Sequence, residues 1–190
     1  MPSGALNPGS DRCARCYFPQ RTCVCAAIPA LRPRTRVVIV RHCSEAHRGS
    51  NSGRLAALAL AGSSIIDHGG RLGPTVIPDL AGAWLLFPEG EPAHAAPVPL
   101  PATLVVLDAT WSQARKMYRK IDALRGLPIL RLPDAPMPEA RLRASPGPGR
   151  VSTIEAIARA LRLLEGDTLA APLERLFEVA VAHARASGRW

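Results

Sequence analysis

The chain has 190 residues, 47% of them hydrophobic, so it can bury a core of ordinary domain size and is not a disordered tail. Its 24 Lys and Arg residues outnumber its 15 Asp and Glu residues, and the formal net charge of +9 favours nucleic acid, or less strongly an anionic membrane, as a partner. No apolar run approaches the roughly 18 residues of a membrane span, and residues 1–11 lack the apolar segment of a signal peptide, so we expect a cytoplasmic protein that does not span a membrane.

Four of the five cysteines lie near the N-terminus in the pattern C-x2-C-x6-C-x-C: Cys13, Cys16, Cys23 and Cys25. Four soft sulfur ligands can surround one tetrahedral ion, which favours a structural Zn²⁺ without an open coordination position. An iron–sulfur cluster and unligated thiols stay open as alternatives, and Cys43 is a possible further ligand. We predict a small zinc-binding module over residues 1–33 and a second domain over residues 34–190.

Apolar runs that suit strands alternate with helical patterns along the rest of the chain. Strands are predicted at residues 36–41, 83–87, 103–107 and 127–132. Helices are predicted after the polar loop 42–50, from residue 111, from residue 152 and in the last part of the chain. The Pro- and Gly-rich segments 69–78, 92–101 and 134–149 are predicted to be loops. This alternation predicts an α/β fold with a mostly parallel sheet flanked by helices.

The string LDATWSQARKM places polar residues at the end of a predicted strand, where ligands bind in open α/β sheets. Asp108 follows the strand directly, and Thr110 and Trp111 begin the next helix. A carboxylate in this position can be a general base, a substrate-orienting group or simply a helix cap. Trp111 can pack in the core or stack on a base.

Two further strings carry polar residues at comparable places. RHCSEAHRGSNSGRL contains His42, Glu45, Asn51 and Arg54, for which helix capping and solvation are the alternatives to a functional role. In GRVSTIEAIARAL, Ser152 and Glu155 fit a capping box, and the same helix start can hold a carboxylate or phosphate. The chain lacks GxGxxG, Walker A and GxSxG motifs, which argues against the common dinucleotide enzymes, P-loop NTPases and α/β-hydrolases.

Together and in this order, CARC…CVC, H-x2-E…N-x-GRL, LLFP, LDATW-x-QARKM, LP-x-LRLP, LR and STIEA resemble the DTW-domain proteins, which are tRNA-uridine aminocarboxypropyltransferases. The similarity covers roughly residues 13–165. It departs from the family pattern at Cys43, Ala109 and Ala140, where proline, Gly or Ser, and tyrosine are commoner.

The resemblance implies a SPOUT-like fold with a deep C-terminal trefoil knot, a rare exception to the usual topology rules. It also implies transfer of the 3-amino-3-carboxypropyl group of S-adenosylmethionine to N3 of a tRNA uridine, with release of 5′-methylthioadenosine. No obligate protein partner is evident. A SPOUT-like RNA methyltransferase and a non-catalytic zinc-containing RNA-binding module are the alternatives.

The resemblance also suggests roles for individual residues. Asp108, as general base, and Thr110 would be catalytic. The residues that would bind the cofactor are Leu86, Phe87, Pro88, Leu130, Leu132, Pro133, Ser152, Thr153 and Glu155. The residues that would contact RNA are Arg41, His42, Glu45, Asn51, Arg54, Trp111, Arg115, Lys116 and Arg143.

The positive charge falls into two blocks that suit this interpretation. Residues 1–71 carry 10 basic and 3 acidic side chains, and residues 111–150 carry 9 and 3. The stretch between them has 4 acidic and no basic side chains and includes Asp108. We therefore expect the basic blocks to hold tRNA around a site whose own charge is negative.

Overall fold

A parallel sheet forms the centre of this computed structural model, which describes residues 11–70, 73, 75–78, 80–134, 142 and 151–188. Within those residues the strands are β1 (Arg36–His42), β2 (Ser64–His68), β3 (Ala83–Leu86), β4 (Thr103–Asp108) and β5 (Ile129–Leu130). Their order across the sheet is β2-β1-β4-β3-β5, and each neighbouring pair is parallel. All five strands therefore end at the same edge, and the loops that follow them meet there.

Helices cover both faces of the sheet: α1 (Ser52–Ala59), α2 (Trp111–Lys120), α3 (Thr153–Glu165) and α4 (Asp167–Ala186). Alternate strand residues point to opposite faces. Val37 and Ile39 share a buried cluster with α1, α3 and α4, whereas Val38 and Val40 share one with Met117 of α2. The sheet is thus the middle layer of three and is buried on both faces, as parallel sheets usually are.

The cysteine-containing segment packs on the same side as α4. Cys16, Phe18 and Val24 belong to the buried cluster of α1, α3 and α4. The ring Nδ1 of His183 in α4 lies 3.1 Å from the carbonyl oxygen of Thr22. The boundary at residue 33 stays a prediction, and these contacts attach the segment firmly to the rest of the chain.

The predicted fold class is confirmed, with two corrections at the sheet edges. Strand β2 was not predicted, because its two isoleucines are only half-buried at an edge and give too short a pattern. The predicted strand 127–132 is reduced to β5, because Pro128 and Pro133 lack the N–H that a longer ladder needs.

Two other predictions concern features outside the sheet. The trefoil knot stays a prediction, because residues 135–141 and 143–150 lie outside the described part of the chain. Among the helices of the described ranges, none is both long and apolar enough to cross a bilayer.

Candidate active site

Asp108 is the last residue of β4 and is buried, with 1% of its surface exposed. Its Oδ2 accepts a hydrogen bond from Asn51 Nδ2 at 2.5 Å, and its Oδ1 accepts one from Thr153 Oγ1 at 2.6 Å. Asn51 precedes α1 and Thr153 begins α3. One carboxylate therefore joins the end of a central strand to the starts of two helices.

The two helix starts form a favourable environment for this buried charge. Asn51 is the N-cap of α1 and accepts from the amide of Arg54 at 2.8 Å. The amide of Ile154 in α3 donates to Ser52 Oγ at 3.4 Å, which links the two helix starts directly. The positive ends of helices stabilise negative charge, and hydrogen bonds offset the desolvation of the carboxylate.

Thr110, not Asp108, caps the helix that follows β4. Its Oγ1 accepts from the amide of Gln113, and Gln113 Oε1 accepts from the amide of Thr110, which completes a capping box. The helix-cap interpretation of Asp108 is therefore wrong. A second capping box, between Ser152 and Glu155 at the start of α3, confirms the prediction made from the string STIEA.

Gly53 makes the close approach of α1 to Asp108 possible. A Cβ at residue 53 would lie 2.6 Å from Asp108 Oδ2 and 2.8 Å from its Cγ. We expect Gly53→Ala to destabilise the protein by about 1–3 kcal/mol, as overpacking does, and to displace the carboxylate. Denaturant unfolding measures this effect. Gly126→Ala is the matched control, because a Cβ there meets nothing within 4 Å; equal effects of the two variants would contradict the account.

A cavity of about 230 Å³ opens beside Asp108. Seven of the nine predicted cofactor residues line it: Leu86, Phe87, Pro88, Leu132, Pro133, Ser152 and Thr153. Leu130 is fully buried in β5 and Glu155 belongs to the capping box, and neither lines the cavity. Leu107 and Ala109 also line it, whereas Asp108 between them does not. Thr153 is thus the residue that both faces the cavity and hydrogen-bonds Asp108.

The sequence reasoning missed part of the cavity wall. Arg131, Asp134 and Arg159 line the cavity, as does Trp111, which was predicted to contact RNA. Arg159 Nη2 donates to the carbonyl of Pro133. A signal for Arg159 was available, because it lies seven residues after Ser152 and hence on the same face of α3.

The predicted RNA contacts divide into exposed and buried groups. Arg115 and Lys116 are exposed on α2, together with Arg119 and Lys120. His42 is half-buried, and its Nδ1 lies 2.8 Å from Ser44 Oγ and 3.3 Å from Gln113 Nε2. Arg143 lies outside the described residues.

Arg41, Glu45 and Asn51 are buried, which does not suit the phosphate or RNA contacts predicted for them. Arg41 donates to both carboxylate oxygens of Asp67 in β2, at 2.7 and 2.9 Å, and is 8% exposed. Its charge is therefore already neutralised by that carboxylate. The Glu45 side chain is fully buried, and its Oε1 lies 3.6 Å from Arg48 Nε. The side-chain amide of Asn51 already donates its hydrogen bond to Asp108.

Arg54 lies in the first turn of α1, and its side chain is half-buried against Tyr17 of the cysteine segment. Its guanidinium carbon lies 4.2 Å from the ring centroid of Tyr17, and its Nη2 donates to the carbonyl of Ala46. Burial, followed by the nearby charge of Arg41, lowers the pKa of Arg54. These contacts place Arg54 as a link between Tyr17 and α1 rather than on an open RNA-binding face.

The sulfur atoms of the four N-terminal cysteines lie within 4.8 Å of one another: Cys13, Cys16, Cys23 and Cys25. The Cys13–Cys25 and Cys16–Cys23 sulfur pairs are 3.6 and 3.7 Å apart. A tetrahedral zinc with Zn–S bonds of about 2.3 Å requires sulfur separations of about 3.8 Å. Four close thiols of this geometry can hold a metal ion, and Cys43 is not part of the group.

The cluster also favours one ionised thiol. Burial raises the pKa of Cys13, but hydrogen bonds from the backbone of Cys16 and Arg15 and from the thiols of Cys23 and Cys25 outweigh it, and the pKa falls to about 6. Burial and the neighbouring thiols raise the pKa of Cys25. A negative charge concentrated among sulfur atoms suits a bound cation.

Comparison with known proteins decides the family. The family model for the DTW domain matches residues 10–185 of this chain. The chain belongs to the DTW-domain family. The resemblance seen in its motifs is thereby confirmed.

Curated relatives of this DTW-domain protein carry enzyme names. It is 29% identical to tRNA-uridine aminocarboxypropyltransferase 2 of Macaca fascicularis, over 90% of this chain and 64% of the relative, so it spans just under two thirds of that protein. It is 28% identical to the protein of the same name from Drosophila melanogaster, over 87% of this chain and 73% of the relative. It is 27% identical to tRNA-uridine aminocarboxypropyltransferase A of Arabidopsis thaliana, over 82% and 73%. No solved structure matches the chain.

Proposed function

We propose that this protein is a tRNA-uridine aminocarboxypropyltransferase that uses S-adenosylmethionine as donor and N3 of a uridine as acceptor. The observation that carries the proposal is the convergence of the family motifs. LLFP, LDATW, LRLP and STIEA are far apart in the sequence, yet residues of all four line one cavity beside Asp108. The names of the relatives supply the reaction class.

The reaction needs a proton acceptor and precise alignment. The uridine N3–H is a weak acid, so its proton must be removed as N3 attacks the γ-carbon of the methionyl chain. The N–C bond forms, the bond between that carbon and sulfur breaks, and the bonding electrons convert the sulfonium into the neutral thioether of 5′-methylthioadenosine. The cavity must align N3, the γ-carbon and sulfur while it keeps the methyl group away from N3.

Asp108 is the proposed proton acceptor, and Thr153 connects it to the cavity. Thr153 lines the cavity and donates its hydroxyl hydrogen to Asp108 Oδ1 at 2.6 Å. As the hydroxyl oxygen takes the proton of N3, its own proton passes to Asp108. This relay reconciles a general-base role with a carboxylate that does not itself line the cavity.

Replacing Thr153 tests the relay. We expect Thr153→Val to lower kcat about 10²-fold, the lower end of the range for a lost acid–base contribution, with little change in donor affinity. Thr153→Ser keeps the hydroxyl and is expected to restore most of the rate. Steady-state kinetics with calorimetric donor binding separate these effects. If Thr153→Val instead weakens donor binding in proportion to the rate, Thr153 is a donor contact and the relay is wrong.

The exposed cations of α2 are the proposed contacts to the tRNA backbone. Arg115, Lys116, Arg119 and Lys120 present four exposed positive charges along the helix that begins at Trp111. Each phosphate contact adds to the salt dependence of binding. His42 and Arg143 stay predicted RNA contacts. Thr110 stays a predicted catalytic residue, and its capping box fixes the start of α2 next to Asp108.

The proposed metal is a structural Zn²⁺ held by Cys13, Cys16, Cys23 and Cys25. Four sulfur ligands complete its coordination, so it would stabilise the N-terminal segment and supply no reaction chemistry. The segment would contact tRNA away from the cavity. The cytoplasmic location stays a prediction.

Nucleoside analysis tests the function. Unmodified tRNA is incubated with the protein and S-adenosylmethionine, digested and examined by mass spectrometry. The proposal predicts a uridine heavier by an aminocarboxypropyl group. A nucleoside heavier by one methyl group would identify a methyltransferase, and tRNA that binds but stays unmodified, with no donor binding by calorimetry, would identify an RNA-binding module.

A further inference from the structure

Arg159 is a positive charge on the cavity wall that the proposed mechanism leaves unused. It is half-buried in the second turn of α3, and Ser152, Ala156 and Arg159 line the cavity from one face of that helix. One nitrogen of its guanidinium donates to the carbonyl of Pro133. A guanidinium has five N–H donors in a planar fork, so this bond, the one that Arg159 makes within the described part of the chain, leaves most of its donor capacity available.

The other charges of the cavity wall are engaged. Arg131 Nη1 donates to the carbonyl of Gly90 at 2.7 Å, and its Nη2 lies 3.8 Å from Asp134 Oδ2. Asp134 is the carboxylate among the described lining residues, and its side chain is 90% exposed. No described carboxylate forms an ion pair with Arg159. Among the described residues, the cavity wall therefore carries one guanidinium, that of Arg159, which no carboxylate neutralises, next to the positive end of α3.

We propose that Arg159 binds the carboxylate of the methionyl end of the donor. The inference rests on the proposed function, which makes S-adenosylmethionine the occupant of the cavity. A planar guanidinium matches a carboxylate in geometry and charge. The carboxylate belongs to the group that is transferred, so this contact fixes the chain whose γ-carbon N3 attacks and favours its transfer over that of the methyl group.

A tRNA phosphate is the other anion that a guanidinium can bind, and the experiment separates the two. Binding of S-adenosylmethionine, S-adenosylhomocysteine and 5′-methylthioadenosine to the full-length protein is measured by calorimetry, and tRNA binding by filter retention. The first two ligands carry the methionyl carboxylate, and 5′-methylthioadenosine lacks it. We expect Arg159→Gln to weaken both carboxylate-bearing ligands about 10-fold, equal to about 1.4 kcal/mol, and to leave 5′-methylthioadenosine and tRNA binding unchanged.

Two further variants complete the design. Arg159→Lys keeps the charge without the fork and is expected to show a smaller loss than Arg159→Gln. Arg175→Gln removes an exposed arginine of α4 and controls for the change in net charge. Thermal unfolding of each variant shows whether the contact to Pro133 also matters for folding.

Each other outcome overturns the inference in a distinct way. Equal weakening of all three ligands would place Arg159 at the shared adenosine or in the fold. Weakening of tRNA alone would make it a phosphate contact, and no change at all would leave it without a ligand role. If the unaltered protein binds none of the three ligands, the proposed function fails and the inference fails with it.

Discussion

Asp108→Asn is expected to lower the rate of aminocarboxypropyl transfer by about 10³-fold while tRNA affinity stays within a factor of about three. The proton acceptor is lost, and general acid–base groups contribute about 10²–10⁴-fold. The fold should be perturbed much less than the rate, because Asn keeps one side-chain oxygen that can accept a hydrogen bond from Asn51 or Thr153. Single-turnover kinetics and filter binding measure the two quantities.

A control variant and two contrary outcomes show what Asp108→Asn tests. Asp122→Asn is the matched control, because that side chain is 82% exposed beyond α2 and the variant should keep the parental rate. If Asp108→Asn loses activity, tRNA binding and thermal stability together, Asp108 is needed for the fold and not for proton transfer. Retained activity would remove it from the mechanism altogether.

Cys16→Ser is expected to remove the bound metal and lower the free energy of unfolding by more than about 2 kcal/mol, since loss of a metal is among the large single-site effects. Cys16 is 1% exposed, and it belongs to the same buried cluster as residues of α4. The loss of stability should therefore extend beyond the N-terminal segment. Elemental analysis and denaturant unfolding measure both consequences.

Cys43→Ser is the control for the cysteine cluster, because Cys43 stands apart from the four clustered sulfurs. It should keep one metal ion per chain and nearly the parental stability. Equal metal loss in the two variants would place Cys43 in the site. Visible absorption with iron in place of zinc would show an iron–sulfur cluster instead.

Most of the sheet and the helix starts could be predicted from local patterns. The runs that became β1, β3 and β4 are buried on both faces, so they appear in the sequence as continuous apolar strings. The stripe Ile154, Ile157, Leu161 and Leu164 is fully buried or nearly so in α3. Edge strands β2 and β5 lack such runs, and their pairing depends on neighbours distant in the sequence.

The site was harder to predict, because its geometry depends on contacts across the fold. Asp108 meets Asn51 and Thr153, which lie 57 and 45 residues away. The ion pair that removes Arg41 from the surface depends on β2, the strand that was not predicted. Most of the predicted cofactor residues line one cavity, yet the motifs did not show that Asp108 is absent from its lining while its hydrogen-bond partner Thr153 belongs to it.

Partition of two labels tests the central claim most directly. The protein is incubated with tRNA and S-adenosylmethionine that carries one isotope in the methyl group and another in the carboxypropyl chain, and both products are analysed. The account predicts that the chain label appears at uridine N3 in tRNA and the methyl label in 5′-methylthioadenosine, in equal amounts. Methyl label in tRNA, with the chain label retained in S-adenosylhomocysteine, would contradict it.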